Sequence, residues 1–313
     1  MTSLAHHLDL LEHGVGAYRT SDRLLRVTGD DRLTWLQGQL TQDVLTLRPG
    51  GSAYALLLHP TGKILADLDV LCRETDLVLV CPLDAVDEVS AQLERYVMME
   101  DVELERLPGA VLALQGPRAV ALRGAIRDAR GTDAVFEVDR LGRGGLLVLE
   151  SADGGEDAVG AGAALLPCVV EAGGGWVSAE ATLLARLRAG RPAFGADFGP
   201  SVLPQVAGLT RRAVSFKKGC YRGQEPVVML EHRGSPPKRL VRLEIQAADA
   251  LPAGTSLSAA DGAPLGAITS AARGPDGVVY ALGTLKRGAA LTDVTGAGDD
   301  GQRYPARVLE FAE

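Results

Sequence analysis

Phe216-Lys217-Lys218-Gly219-Cys220-Tyr221-Arg222-Gly223-Gln224-Glu225-Pro226 places a thiol, three cations, two glycines, a phenol, an amide and a carboxylate in eleven residues. Charged side chains are rarely buried without partners, so this is not a core segment. Gly219 and Gly223 flank the thiol and allow positive φ or a close backbone approach on either side. Gln224 to Glu231 fits a short helix, with Pro226 tolerated in its first turn. Lys217, Lys218 and Arg222 surround the sulfur in sequence, and cations beside a helix start favour thiolate over thiol. The stretch is predicted to be an exposed loop presenting a reactive Cys220. A basic turn with an inert cysteine has the same composition, and spacing alone does not separate the two.

Lys218-Gly219-Cys220-Tyr221-Arg222-Gly223-Gln224-Glu225 resembles the K-G-C-Y-x-G-Q-E hallmark of the YgfZ family, relatives of the glycine-cleavage T-protein, an aminomethyltransferase. The resemblance implies a scaffold that binds tetrahydrofolate and assists assembly or repair of iron–sulfur clusters. It also implies an α+β fold: two α+β domains around a central folate site, followed by a small antiparallel β-barrel. Two further stretches are similar to that family. One is Trp35-Leu36-Gln37-Gly38-Gln39-Leu40-Thr41-Gln42-Asp43-Val44, whose Gln37, Gln39 and Thr41 become candidate folate contacts. A solvated helix C-terminus accounts equally for those polar groups. The other is Ala66-Asp67-Leu68, where T-protein relatives have Asp-Asp-Leu serving folate. Asp67 is the candidate acceptor for the N–H-rich edge of a pterin.

The chain departs from the T-protein pattern twice. Only one carboxylate of the Asp-Asp pair is kept, and Arg188 stands where relatives have the Glu of R-x-E-A-G. An arginine cannot accept pterin N–H groups. Both changes point to an accessory factor, with Cys220 and Lys218 carrying the chemistry and Tyr221, Arg222, Gln224 and Glu225 shaping the loop. A folate-dependent aminomethyltransferase and a non-catalytic docking module are the alternatives.

Composition bounds these readings. The 313 residues are 46% hydrophobic and 23% charged, values of a soluble globular chain. A net charge of −8 argues against a general nucleic-acid binder. No long uncharged apolar run predicts a membrane span, and residues 1–11 lack the pattern of a secretory signal. A cytoplasmic monomer with reduced thiols is expected, its partners a reduced folate and, transiently, iron–sulfur client or assembly proteins. The four cysteines and five histidines show no metal-ligand spacing, so no resident metal or cluster is expected.

Three domains are predicted: 1–106, 107–234 and 235–313, with the chain free to cross between the first two. Ile64 to Leu71 is predicted as a strand, with Ile64, Ala66, Leu68 and Val70 on one face and Leu65, Asp67, Asp69 and Leu71 on the other. A solvent-facing side would suit Asp69 better than Asp67. Leu165 to Glu171 is also predicted as a strand. Residues 239–245, 255–258, 264–270, 278–284 and 307–311 are predicted as barrel strands.

Overall fold

Leu77-Val78-Leu79-Val80-Cys81 is apolar at every position, and a strand with no polar face needs cover on both sides. All five residues are buried. The computed structural model describes residues 3–151, 165–289, 291–292, 294–297 and 302–309. In it this strand is the centre of a five-stranded antiparallel sheet. The order is Ser52–Leu58, Ile64–Cys72, Leu77–Cys81, Arg23–Thr28, Glu103–Leu107. Leu77, Leu79 and Cys81 pack with Trp35, Leu36, Val86, Val89 and Leu93 from the helices Arg32–Gln39 and Val86–Glu94. Val78 and Val80 face a second sheet, meeting Val111, Ala113, Phe136 and Leu147.

That second sheet has the order Gly175–Trp176, Gly16–Arg19, Gly109–Gln115, Gly145–Ser151, Val135–Glu137. Gly16–Arg19 therefore lies across the division expected at residue 106. It is held antiparallel to Gly109–Gln115 and parallel to Gly175–Trp176. Residues 166–171 form a helix, not the expected strand. Pro167 opens it, where the missing N–H costs nothing, and Val169 is the residue it buries. An apolar run of this length does not distinguish a strand from a short buried helix.

The C-terminal strands close into a six-stranded antiparallel barrel. The order is Lys238–Ile245, Val279–Lys286, Pro264–Arg273, Ser256–Ser258, Val294–Ala297, Arg303–Leu309, and the last pairs back onto the first. Alternate residues such as Val241, Leu243, Leu257, Ile268 and Ala281 fill its interior. Val294–Ala297 has no counterpart in the sequence reading, which extended the last strand to 311, beyond the described residues. Asp197 ties barrel and body together. Its buried carboxylate pairs with Arg186 and accepts from Thr269 and Ser270, each at 2.6 Å, and from the Ala193 N–H at 3.0 Å.

The faces of Ile64–Cys72 depart from strict alternation at its start. Leu57 pairs with Ala66, but Leu58 pairs with Ile64, so Leu65 is the extra residue of a bulge. Ile64 consequently packs with Leu56 and Leu58, and Leu65 joins the helix-side core. Beyond the bulge the alternation holds. Asp67, Asp69 and Leu71 face the second sheet.

Candidate functional site

Two carboxylates between packed sheets need partners. Asp69 finds one in Arg140, from the second sheet's side, at 2.7 Å. Arg140 also pairs with Asp22, so one guanidinium bridges two aspartates. Burial disfavours its charge, but Asp22 and Asp69 together raise its pKa above the usual range. Burial pushes the Asp69 carboxyl up, with Arg140 acting against it. Asp69 is thus a buried ion-pair partner, not the solvent-facing residue expected.

Asp67 is placed differently. Its Oδ2 accepts from the Tyr54 hydroxyl at 2.7 Å, while its Oδ1 is buried with no hydrogen-bond partner. Burial raises its pKa to about 6, the Tyr54 hydrogen bond opposing and the Asp69 charge adding. Tyr54 is held well above its usual range by burial and then by Asp67, and Arg212 stacks 4.7 Å from its ring. These groups line a cavity of about 470 Å³, with Tyr18, Phe194 and Arg186 on its other walls. Leu141, Pro192 and Arg212 line both this cavity and a neighbouring one of about 900 Å³, so the two adjoin.

The motif loop lies elsewhere. The helix Arg32–Gln39 ends with unpaired carbonyls, and Lys218 meets them. Its Nζ donates to the carbonyl oxygens of Gln37 and Leu40 at 2.6 Å and of Gln42 at 2.9 Å. All three ammonium protons are engaged. Burial lowers its pKa to about 8, with Asp43 opposing. The Arg222 N–H donates to the Gly38 carbonyl, and its guanidinium stacks 4.0 Å over Tyr96 and bonds Gln92. Lys218 and Arg222 are therefore committed to neighbours. Tyr221 is buried beside Lys218, and burial raises its phenol to about 12.

Gly223 has φ +76°, and a Cβ there would sit 2.3 Å from the His59 carbonyl oxygen, where the loop crosses the turn between the first two strands of its sheet. Gly219 has open space around it and makes no such demand. The helix Gln224–Arg233 starts at Gly223, with Glu225 in its first turn. Cys220 is exposed, whereas Cys72 and Cys81 are buried.

The sequence candidates thus fall into two groups. Asp67 lines the smaller cavity. Gln37 bonds Asp43 and the Val44 N–H, and Thr41 is buried between the Ala213 carbonyl and the Leu56 N–H. Neither these, nor Gln39, nor any residue of 216–226 lines either cavity. Cys220 is not among the residues that line the Asp67 cavity. The link is indirect: the short helix Thr210–Ala213 brings Arg212 to the cavity, while its carbonyls accept from Gln42 and Thr41. Arg188 lines the larger cavity, paired with Glu12 and Asp276. Tyr54, Asp22, Arg140 and Arg212 were not singled out from the sequence. Tyr54 had a signal, a single polar tip on the face shared by Leu56 and Leu58. Among the described residues no cluster of three or more His, Cys, Asp or Glu is arranged to hold a metal, and no helix is long and apolar enough to cross a membrane.

Residues 16–138 match the GCVT N-terminal domain family. The solved glycine cleavage system aminomethyltransferase T from Bartonella henselae shares the fold at a TM-score of 0.81 and 22% identity, over 98% of this chain and 88% of that one. A curated aminomethyltransferase of Geobacillus kaustophilus is 30% identical over 247 residues, 70% of this chain and 64% of that protein. The fold is thus shared with the aminomethyltransferase T. Within that fold the chain is similar to proteins named tRNA-modifying protein YgfZ. That of Hamiltonella defensa is 27% identical over 246 residues, 75% of this chain and 71% of its own. That of Yersinia enterocolitica is 26% identical over 294 residues, 89% and 86%. The resemblance carried by the motif loop holds across the chain: it is YgfZ-like, on a fold shared with the T-protein.

Proposed function

We propose that this protein binds a reduced folate in the Asp67 cavity and serves as an accessory factor for iron–sulfur enzymes, with Cys220 as its point of contact with clients. The observation that carries the folate reading is the Asp67 carboxylate. One oxygen is held by Tyr54, and the other is buried and unsatisfied. Such an atom costs stability unless a ligand donates to it. The N–H edge of a pterin is such a donor, so the residues present fit tetrahydrofolate. Asp67 would hold the pterin edge, and Tyr54 fixes the carboxylate's orientation. When bound, tetrahydrofolate supplies a one-carbon carrier and a reduced ring.

Accessory action is favoured over aminomethyl transfer by position 188. Arg188 is paired with Glu12 and Asp276 and presents no acceptor to a pterin. The relatives' printed name, tRNA-modifying protein, is compatible with help given to an iron–sulfur enzyme that acts on tRNA. The motif loop enters through exposure: Cys220 is accessible on a loop whose neighbours fix it to the Arg32–Gln39 helix. Titration calorimetry with tetrahydrofolate tests the binding step. Saturable binding to the wild type and about tenfold or greater loss in Asp67→Asn is expected. Absence of binding at millimolar ligand removes folate from the account.

A further inference from the structure

Asp67 shares its cavity with three other carboxylates, Asp22, Asp69 and Asp84, and with the guanidiniums of Arg140, Arg186 and Arg212. Most of these charges already have partners. Arg186 is paired with Asp197. Arg212 donates to the Asp139 carbonyl and stacks on Tyr54. Arg140 holds both Asp22 and Asp69. Asp84 is exposed to solvent. Burial keeps the phenols of Tyr18 and Tyr54 protonated. Among the described residues no guanidinium is paired with Asp67, whose partner is the neutral Tyr54 hydroxyl.

Asp67 and Asp69 stand two residues apart on one strand, both on the face turned to the second sheet. Same-face neighbours along a strand are about 6.5–7 Å apart. Between packed sheets, with little water to screen it, an ionised Asp69 disfavours a charge on Asp67. Arg140 holds Asp69 in its ionised form, but it is shared with Asp22, so one positive charge faces two negative ones. The group leaves a net negative charge beside Asp67. We propose that Asp69 is a positioning residue for Asp67: held ionised by Arg140, it sets the pH at which Asp67 gives up its proton, and so the pH below which the pocket releases a reduced folate. This rests on the folate reading of the Asp67 pocket.

The test is binding of 5-formyltetrahydrofolate to the full-length protein between pH 5 and pH 8, for wild type, Asp69→Asn and Asp22→Asn. Asparagine at 69 keeps an oxygen for Arg140 and drops the charge. The pH midpoint of binding should fall by about 0.5–1.5 units in Asp69→Asn. At pH 5 this variant should therefore bind about threefold or more tightly than wild type, and at pH 8 within about twofold of it. Asp22→Asn should move the midpoint the same way and by less, because Asp22 acts on Asp67 more weakly than Asp69 does. Circular dichroism confirms that both variants fold. Carbon-13 NMR of carboxyl-labelled aspartate follows Asp67 without ligand, its resonance assigned by its loss in Asp67→Asn. A midpoint for Asp67 unchanged in Asp69→Asn overturns the proposal. So does a loss of affinity equal at every pH, which would make Asp69 merely structural and leave the folate reading standing. Absence of folate binding by the wild type at every pH overturns the folate reading, and the release pH with it, whereas a lowered NMR midpoint in Asp69→Asn would still uphold the control of Asp67 by Asp69.

Discussion

The Lys218 ammonium lies 2.6 Å from the carbonyl oxygen of Leu40, joining two stretches that stand 178 residues apart in sequence. With the Gln37 and Gln42 carbonyls it closes the C-terminal end of the Arg32–Gln39 helix. A cation there satisfies orphan carbonyls and complements the helix dipole. Lys218 thus acts as a clamp on the motif loop. Lys218→Met keeps length and removes the donors, so it should cost about 1–3 kcal/mol in urea unfolding. Lys218→Arg should not restore this fully, because a planar guanidinium cannot aim three donors from one atom. A change below about 0.5 kcal/mol for Lys218→Met would show the clamp to be idle.

Gly223→Ala and Gly219→Ala should behave oppositely. Alanine at 223 combines φ +76° with a Cβ 2.3 Å from the His59 carbonyl oxygen, and should cost about 2 kcal/mol or more. Alanine at 219 meets open space and should be near neutral. Thermal melts of the two variants, measured together, check the crossing of loop and turn.

Asp67 sets a pH dependence of defined sign. Its folded pKa, about 6, lies above the ordinary value of 3.8. The stabilisation from its protonated form is complete below pH ~3.8 and is lost as pH rises through about 6. Asp67→Asn should therefore be more stable than wild type at pH 7.5, by about 1–3 kcal/mol. The difference should vanish near pH 3.5. Reduced folate needs the carboxylate as acceptor, so wild-type affinity should rise between pH 5 and 7. Denaturation midpoints and calorimetry across that range give both results.

Thiol labelling separates the cysteines. Iodoacetamide at pH 7.5 should modify Cys220 first. Cys81 is fully buried and its pKa is raised by burial, and Cys72 is buried in the same core. Both should label only on unfolding. Peptide mapping by mass spectrometry after short exposure reads the order. Slower labelling of Cys220 than of Cys72 would contradict the exposed-loop geometry.

How much of this was legible in the sequence depends on how local the cause is. The all-apolar Leu77–Cys81 run, the alternating barrel strands and the helix after Gly223 follow from short-range pattern, and the structure contains them. Asp67 was visible as a carboxylate in an apolar strand. Arg140 was not, because its pairing with Asp22 and Asp69 depends on how two sheets face each other. Thr41 and Gln37 looked like ligand contacts because side-chain oxygens that accept from nearby backbone N–H groups resemble oxygens that hold a ligand. Lys218 was read as tuning the sulfur, since sequence adjacency cannot tell a charge aimed at a neighbour from one reaching back to a helix end.

The most direct test of the central claim is iron–sulfur enzyme activity in cells that lack their own YgfZ homologue and express this protein. Wild type should restore activity. Asp67→Asn and Cys220→Ser should both fall toward the level of cells without the protein, at equal expression. Cys220→Ser removes a soft, nucleophilic sulfur from an exposed loop and should leave folate binding unchanged. Restoration by Cys220→Ser equal to wild type would contradict the account and leave the loop as a docking element.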